Sequence, residues 1–347
     1  MPDPEHEAML LTRSATTTAL VVRGSGQLGL EDWPLPVVKA TDVLVDVIYG
    51  GICGSDLHYW MHGASGSAVL RQPMVLGHEV VGRVATSATG LPAGTPVAIH
   101  PASSCGSCRE CLAERPNLCR TAAYLGSAAR FPHSQGAFAR QIVVPLTNVR
   151  VLPNDVPLIS FAMAEPAAVA WHAVTLLPRN LNSVLIVGAG PIGLALVAIV
   201  RALGAFEVAV TDLHARPIVI AEQLGAVALP YGGAVGDYDA VFECSGSNAG
   251  MRSAIEMCRP GGSVILVGNQ VHGNVPFPAS QLITKEIQVR GSYRFHEELD
   301  DVIAAIGNGK LDLSPIVTHV LDFREYTSAF DLASDAETSS KVLLTFN

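Results

Sequence analysis

From Ala19 to about Leu152 the apolar residues come in short runs broken by Gly and Pro. The runs predict strands at Ala19–Arg23, Asp42–Tyr49, Glu79–Ala85, Pro96–Ile99 and Phe138–Val144. Short strands at such regular intervals suggest a barrel-like β unit. Beyond Pro166 the pattern alternates apolar strands with helical stretches: Ser183–Val187, Ile192–Leu203, Glu207–Thr211 and Pro217–Leu224. That alternation predicts a parallel, doubly wound sheet, so the fold class is α/β. Further strands are expected at Ala240–Glu243, Ser263–Val267 and Glu286–Gly291, with helical stretches at Ala249–Cys258 and Asp300–Gly307. Val317–Leu321 and Lys341–Phe346 look like strands returning to the first unit. Val184–Val200 is almost wholly apolar, yet Gly188, Gly190, Pro191 and Gly193 interrupt it and no basic flank supports membrane insertion; a buried strand, a turn and a buried helix explain it better.

The chain has 347 residues, which exceeds what one hydrophobic core usually organises, so two domains are expected. Hydrophobic residues are 49% and charged residues 15%, with a net charge of -9 and no basic run. This argues against nucleic acid or an anionic membrane as partner and favours a small molecule. The polar stretch 1–18 lacks a secretory pattern and is expected to be a flexible tail. Of seven cysteines, Cys53, Cys244 and Cys258 remain once a cluster of four is set aside. An odd remainder without an export signal implies a reducing cytoplasm.

The cluster, Cys105, Cys108, Cys111 and Cys119, is spaced C-x2-C-x2-C-x7-C. Four thiolates so close in sequence can converge on one Zn²⁺ and leave no open position, which makes the site structural. The alternative, two local disulfides, needs an oxidising compartment.

Gly188-Ala-Gly190-Pro191-Ile192-Gly193 follows an apolar strand and opens an apolar helix, the context in which G-x-G-x-x-G binds a dinucleotide. Gly188 permits the tight turn, Gly190 lets the backbone approach the pyrophosphate, and Gly193 lets helix and strand pack closely. Asp212 ends the next strand, where a carboxylate accepts both ribose hydroxyls and disfavours a 2′-phosphate, so NAD is preferred over NADP. Arg216, one turn on, offers a cation that would soften this preference. The alternatives are a helix cap for Asp212 and a solvated surface residue for Arg216.

A second metal site is open. Cys53, His78 and Glu165 supply the three protein ligands that a catalytic zinc needs beside one free position. Zinc lowers the proton affinity of a bound hydroxyl, and Ser55 can pass the proton by way of the cofactor ribose to His58. Taken singly, Cys53 reads equally as a small hydrophobe, His78 as a core histidine, and Glu79 and Glu165 as salt-bridge partners. Asp56 reads as a structural hydrogen-bond acceptor, and His172 as a packing or surface residue, with a place near the cofactor as the alternative.

Together these residues resemble the zinc-dependent medium-chain dehydrogenases over nearly the whole chain, from about Ala19 to Phe346. Cys53-Gly-Ser-Asp-Leu-His-Tyr59 and Glu165 resemble the polyol branch, which contains the sorbitol and L-idonate 5-dehydrogenases. Gly126-Ser127, Phe131-Pro-His133, Gly136, Phe138, Arg140 and Ala164-Glu-Pro166 are most similar to the idonate type. The resemblance implies a GroES-like β-barrel catalytic domain from 19–160 and 296–347, with the zinc lobe at 101–122, around a Rossmann domain at 161–295. It implies that Glu79 sits beside the zinc and exchanges with other ligands in turnover. Tyr59 and Arg294 would contact substrate; Ile192, Val267, Gly268, Asn269, Ser292 and Tyr293 would line the cofactor. Two zinc ions per chain, NAD or NADP, and a homodimer or homotetramer are expected with it.

A carboxylate substrate held out of water needs a cation or several donors. Arg130, His133, Arg140 and Arg294 are the candidates, with Arg294 favoured because Ser292-Tyr-Arg294 follows a cofactor-domain strand. The expected activity is oxidation of a sugar acid, L-idonate to 5-dehydro-D-gluconate. The alternatives are a sorbitol- or xylitol-type polyol, the 3-hydroxyl of threonine and, from another class, a non-catalytic NADH-binding scaffold.

Overall fold

Six parallel strands form the sheet of the second half of the chain. They lie in the order Val227–Ala228, Glu207–Thr211, Ser183–Val187, Tyr238–Glu243, Cys258–Leu266, Gln288–Gly291. Counted along the chain this is 3-2-1-4-5-6, the doubly wound order that places a ligand crevice at the strands' carboxyl ends, where the first and fourth strands diverge. The structure is a computed structural model that describes residues 15–88, 90–177, 182–230, 236–270 and 275–346. Val184, Leu185, Ile186 and Val187 are buried, as expected for a strand covered on both faces. The helices Ala164–Thr175 and Pro191–Ala202 pack on this sheet through Ala167, Ala168, Ala170, Leu194, Val197 and their neighbours.

The first half supplies a largely antiparallel sheet of seven strands built around Asp42–Gly51, which pairs with Glu79–Val84, Gln141–Pro145 and the C-terminal strand Lys341–Thr345. Val317–Asp322 pairs parallel to Lys341–Thr345, so both returning strands join the first unit as expected. Strand Ala102–Ser103 pairs with Ala123–Tyr124 and closes the base of the four-cysteine lobe.

Several boundaries differ from the sequence pattern. The first strand runs Thr16–Gly24 rather than from Ala19, because three β-branched threonines extend the pairing, Thr16 with Pro34 and Thr18 with Asp32. The expected tail therefore ends before Thr16, and its residues 1–14 lie outside the described residues. The strand expected from Phe138 begins at Gln141; Phe138 instead donates its N–H to the Leu76 carbonyl and accepts the Leu20 N–H, and Ala139 makes an isolated bridge with Ala19. Strand Gln27–Pro34 and the helices Gly54–His62, Ala164–Thr175, Ala279–Lys285 and Tyr326–Ser334 are among the elements that the pattern did not reveal, as are short strands such as Val149–Val151 and Val227–Ala228.

Candidate metal and dinucleotide sites

Cys53 ends the turn after strand Asp42–Gly51 and caps helix Gly54–His62. His78 lies between a left-handed glycine, Gly77, and strand Glu79–Val84. One carboxylate joins these two loops. Asp56 is fully buried; its Oδ2 accepts the N–H of Cys53 at 3.0 Å and its Oδ1 accepts the N–H of Gly77 at 3.1 Å. Asp56 is thus the structural acceptor that the sequence suggested.

The ligand atoms of Cys53, His78 and Glu79 all lie within 4.8 Å of one another. Glu165, the expected third ligand, is not in that group. It is buried in the first turn of helix Ala164–Thr175 rather than in a loop, and its Oε1 accepts the hydroxyl of Tyr124. Burial pushes the Glu165 carboxyl up to about 7, with His78 opposing the rise and Glu79 adding to it. Burial alone would lower His78, but Cys53, Asp56 and Glu165 around it prevail and hold it well above its ordinary value. A setting that draws a proton onto an imidazole against burial is one that favours a cation. His78 Nδ1 is also buried without a partner. The donor set of thiolate, imidazole and carboxylate suits a borderline-soft dication such as zinc.

Lys341, which begins the C-terminal strand, lies against the same cluster. Its Nζ donates to Glu79 Oε2 at 2.6 Å and to the Ile52 carbonyl at 3.0 Å, and both side chains of the ion pair are almost completely buried. The sequence pattern gave no sign of it, since the residue reads as the polar start of an apolar strand.

In the lobe, the sulfur separations are 3.9 Å for Cys105–Cys111, 3.5 Å for Cys108–Cys111 and 3.6 Å for Cys119–Cys105. Disulfide sulfurs lie about 2.05 Å apart. Four sulfurs set tetrahedrally at about 2.3 Å from a zinc would be about 3.8 Å apart, so the lobe fits a metal. The N–H of Ser107 and the hydroxyl of Thr121 pull the Cys105 thiol down to about 5, while burial and the neighbouring thiols push Cys108 up to about 12, so without a metal the four sulfurs do not all ionise together.

The glycine turn has the shape of a pyrophosphate cradle. Gly188 has φ 96°, and a Cβ on Gly193 would lie 2.0 Å from the Gly188 carbonyl oxygen, so only glycine fits there. Gly190 caps helix Pro191–Ala202 and faces open space. Asp212 Oδ2 accepts the Ala189 N–H at 2.6 Å, and its Oδ1 accepts the His214 N–H at 2.9 Å. It therefore buttresses the turn, while the cap of helix Ala215–Gln223 is His214. Arg216 is exposed on that helix. Ile192, Val267 and Gly268 are half-buried beside the crevice, Asn269 is exposed, and the Ser292 Oγ is buried without a hydrogen-bond partner.

Sequence reasoning missed Glu243, the fully buried end of the fourth strand. It accepts the N–H groups of Ser245 and Gly246 at 2.9 and 3.0 Å and the Gln270 amide at 2.8 Å, tying two crevice loops together. Its place at the strand's carboxyl end was the available signal.

The Alcohol dehydrogenase GroES-like domain model matches residues 39–154, and the Zinc-binding dehydrogenase model matches 191–308. The chain belongs to the zinc-dependent medium-chain dehydrogenases. It is 35% identical to the L-idonate 5-dehydrogenase (NAD(P)(+)) of Escherichia coli K12 over 87% of this chain and 91% of that one. It is 32% identical to a probable D-xylulose reductase A of Aspergillus fumigatus over 92% and 94%. The crystal structure of the Escherichia coli L-idonate 5-dehydrogenase superposes with a TM-score of 0.89 at 33% identity, covering 95% of this chain and 98% of that one. The cofactors of this family are catalytic and structural zinc and a nicotinamide dinucleotide, NAD or NADP.

The candidate substrate contacts of this dehydrogenase are unequal. Tyr59 is buried, and its hydroxyl accepts the Ala128 N–H at 3.0 Å. Ser55 is half-buried and His58 exposed, one turn apart on helix Gly54–His62. Arg294 has φ 55°, and its guanidinium carbon stands 4.1 Å from the centroid of the Tyr124 ring, whose hydroxyl reaches Glu165. The other expected cations are spent elsewhere. His133 Nε2 accepts the Arg71 N–H and its Nδ1 contacts the Arg130 carbonyl, both at 2.8 Å. Arg130 donates to the Thr121 carbonyl. Arg140 packs over Phe323 and lines a surface cleft of about 480 Å³ with Thr16 and Asp46.

Proposed function

We propose that this dehydrogenase oxidises a secondary alcohol of a sugar acid, L-idonate to 5-dehydro-D-gluconate, with reduction of NAD(P)⁺ and release of one proton. The observation that carries the reading is Arg294: a half-buried guanidinium fixed over Tyr124, whose hydroxyl meets Glu165, while Arg130, His133 and Arg140 are engaged elsewhere. A fixed cation at that place answers the need of a carboxylate drawn out of water. The catalytic domain is assigned to 19–160 and 296–347, extended back to Thr16, and the dinucleotide domain to 161–295.

Cys53 and His78, with Glu165 or Glu79, are assigned to the catalytic zinc, and Cys105, Cys108, Cys111 and Cys119 to the structural one. Zinc supplies Lewis acidity that eases loss of the alcohol proton. Ser55 takes that proton toward the ribose and His58, which is exposed and so delivers it to solvent. Gly188, Gly190 and Gly193 leave room for the pyrophosphate, and Asp212 meets the ribose hydroxyls. Glu79, held by Lys341, is poised beside the metal ligands.

The test is a panel of L-idonate, other aldonates, sorbitol and xylitol, each with NAD and NADP. L-Idonate should have the highest kcat/KM, and Arg294→Ala should lower that value roughly 10- to 100-fold while changing neutral polyols little, the range for a charge-assisted contact. Equal losses on both classes would remove the carboxylate role. The D-xylulose reductase relatives, at nearly the same identity, favour a polyol as the second reading. A xylitol kcat/KM above that of every aldonate would establish it.

Asp212→Ala should raise the KM for NAD about tenfold and bring NADP close to NAD in kcat/KM, because it removes both a ribose acceptor and the charge that repels a 2′-phosphate. An unchanged NAD to NADP ratio would assign Asp212 to the turn alone.

A further inference from the structure

The turn that carries Arg294 is tied to the four-cysteine lobe. Within the lobe, Asn117 lies in the short helical turn Pro116–Leu118 and is only 7% exposed. Its Nδ2 donates to the Tyr293 carbonyl at 3.0 Å and lies 3.3 Å from His172 Nε2. A carbonyl only accepts, so the contact with Tyr293 fixes which end of the amide faces it. The two amide hydrogens then serve the two partners, leaving His172 Nδ1 to donate to Glu298 Oε1 at 2.7 Å. Glu298 Oε2 in turn accepts the His296 N–H at 2.6 Å. His100 Nε2 meets the His296 carbonyl at 3.0 Å, and its ring lies 4.9 Å from that of the buried Phe295. The segment 293–298 is thus pinned on both sides of Arg294.

Such pinning has an energetic reason. A non-glycine residue at φ 55° costs of order 1–3 kcal/mol and persists only where its surroundings over-determine it. Released, the backbone would relax toward negative φ and carry the guanidinium off the Tyr124 ring.

We propose that Asn117 is a positioning residue: it carries the fixed shape of the zinc lobe to the Tyr293–Arg294 turn and so sets the place of the guanidinium that recognises the substrate's carboxylate. This rests on the aldonate reading for its consequence, but not for its geometry. The lobe thereby acquires a part in specificity as well as in stability.

Asn117→Asp is the discriminating change, since it keeps shape and volume while turning an acceptor toward the Tyr293 carbonyl. In the full-length, zinc-loaded enzyme it should raise the KM for L-idonate about tenfold, with kcat within twofold and two zinc ions per chain retained. In an Arg294→Ala background the same change should add less than twofold, because its route of action is gone. Equal multiplicative losses in both backgrounds would overturn the proposal. A second readout needs no substrate: the Arg294 Nε–H resonance, identified by its loss in Arg294→Lys, should show a ring-current shift from Tyr124 that disappears in Asn117→Asp. If that shift persists in Asn117→Asp, Asn117 does not hold the turn, whatever the enzyme oxidises. Failure of L-idonate as a substrate, with the shift lost as expected, would instead fault the substrate reading alone.

Discussion

Lys341→Met should destabilise the zinc-loaded protein by about 3–5 kcal/mol, the usual cost of removing one partner from a buried ion pair. Lys341 and Glu79 are 2% and 1% exposed at the side chain, with 2.6 Å between Nζ and Oε2. Burial by itself lowers the lysine, yet Glu79, Cys53 and Glu165 together hold it above its ordinary value, so it is charged in the folded chain. A methionine would fill much of the volume but leave the Glu79 carboxylate, which faces Cys53, Glu165 and Asp56, without its direct ion-pair partner. The measurement is the denaturation midpoint together with zinc content. Lys341→Arg should keep most of the stability, because it keeps the positive charge beside Glu79. The double variant Lys341→Met/Glu79→Gln should recover a large part of the loss, because it removes both buried charges. A double variant no more stable than Lys341→Met alone would show that the lost stability came from packing or from the Ile52 carbonyl contact.

How this site could be read in the chain depended on how far apart its parts lie. The four cysteines fall within fifteen residues, and the glycine turn is contiguous with its strand and helix, so spacing alone carried the chemistry. The parallel, doubly wound class of the sheet followed from the alternation of apolar strands and helices, though not its strand order, and the returning strand Lys341–Thr345 from an apolar run. Lys341 itself was invisible because its partner is 262 residues away. Tyr124 was missed for a similar reason: nothing local marks a tyrosine whose hydroxyl meets Glu165 across 41 residues. Helix Ala164–Thr175 escaped because Ala164, Ala167, Ala168, Ala170 and Ala173 are all buried, which leaves no amphipathic stripe to detect. Its Ala-Glu-Pro start therefore read as a junction, although a proline in a first turn costs no helical hydrogen bond. Strand Gln27–Pro34 is largely half-exposed along its length, so its period-2 signal was weak.

Asp56→Asn should lower the affinity of the Cys53–His78 site for zinc about 10- to 100-fold, the scale on which outer-shell partners act at metal sites. The two carboxylate oxygens meet two backbone N–H groups, those of Cys53 at 3.0 Å and Gly77 at 3.1 Å, and the residue has no access to water. Asparagine is nearly the same size but presents one acceptor and one donor. One of the two N–H groups must then face an NH₂ group, which costs about 1–3 kcal/mol for the buried donor left unmet and forces the two loops apart. Burial is the main influence raising the Asp56 carboxyl, while His78 and the two N–H groups oppose it. A protonated carboxyl would meet the same conflict as the amide, so the carboxylate is the form that fits both loops. The four-cysteine lobe provides an internal reference, since it shares no contact with Asp56. Under competition with EDTA, Asp56→Asn should release one zinc per chain much faster than the parent protein and the other at an unchanged rate. If both ions left at the parent rate, the loops bearing Cys53 and His78 would hold their spacing without Asp56, and the strand pairing between Asp42–Gly51 and Glu79–Val84 would have to be sufficient to set it.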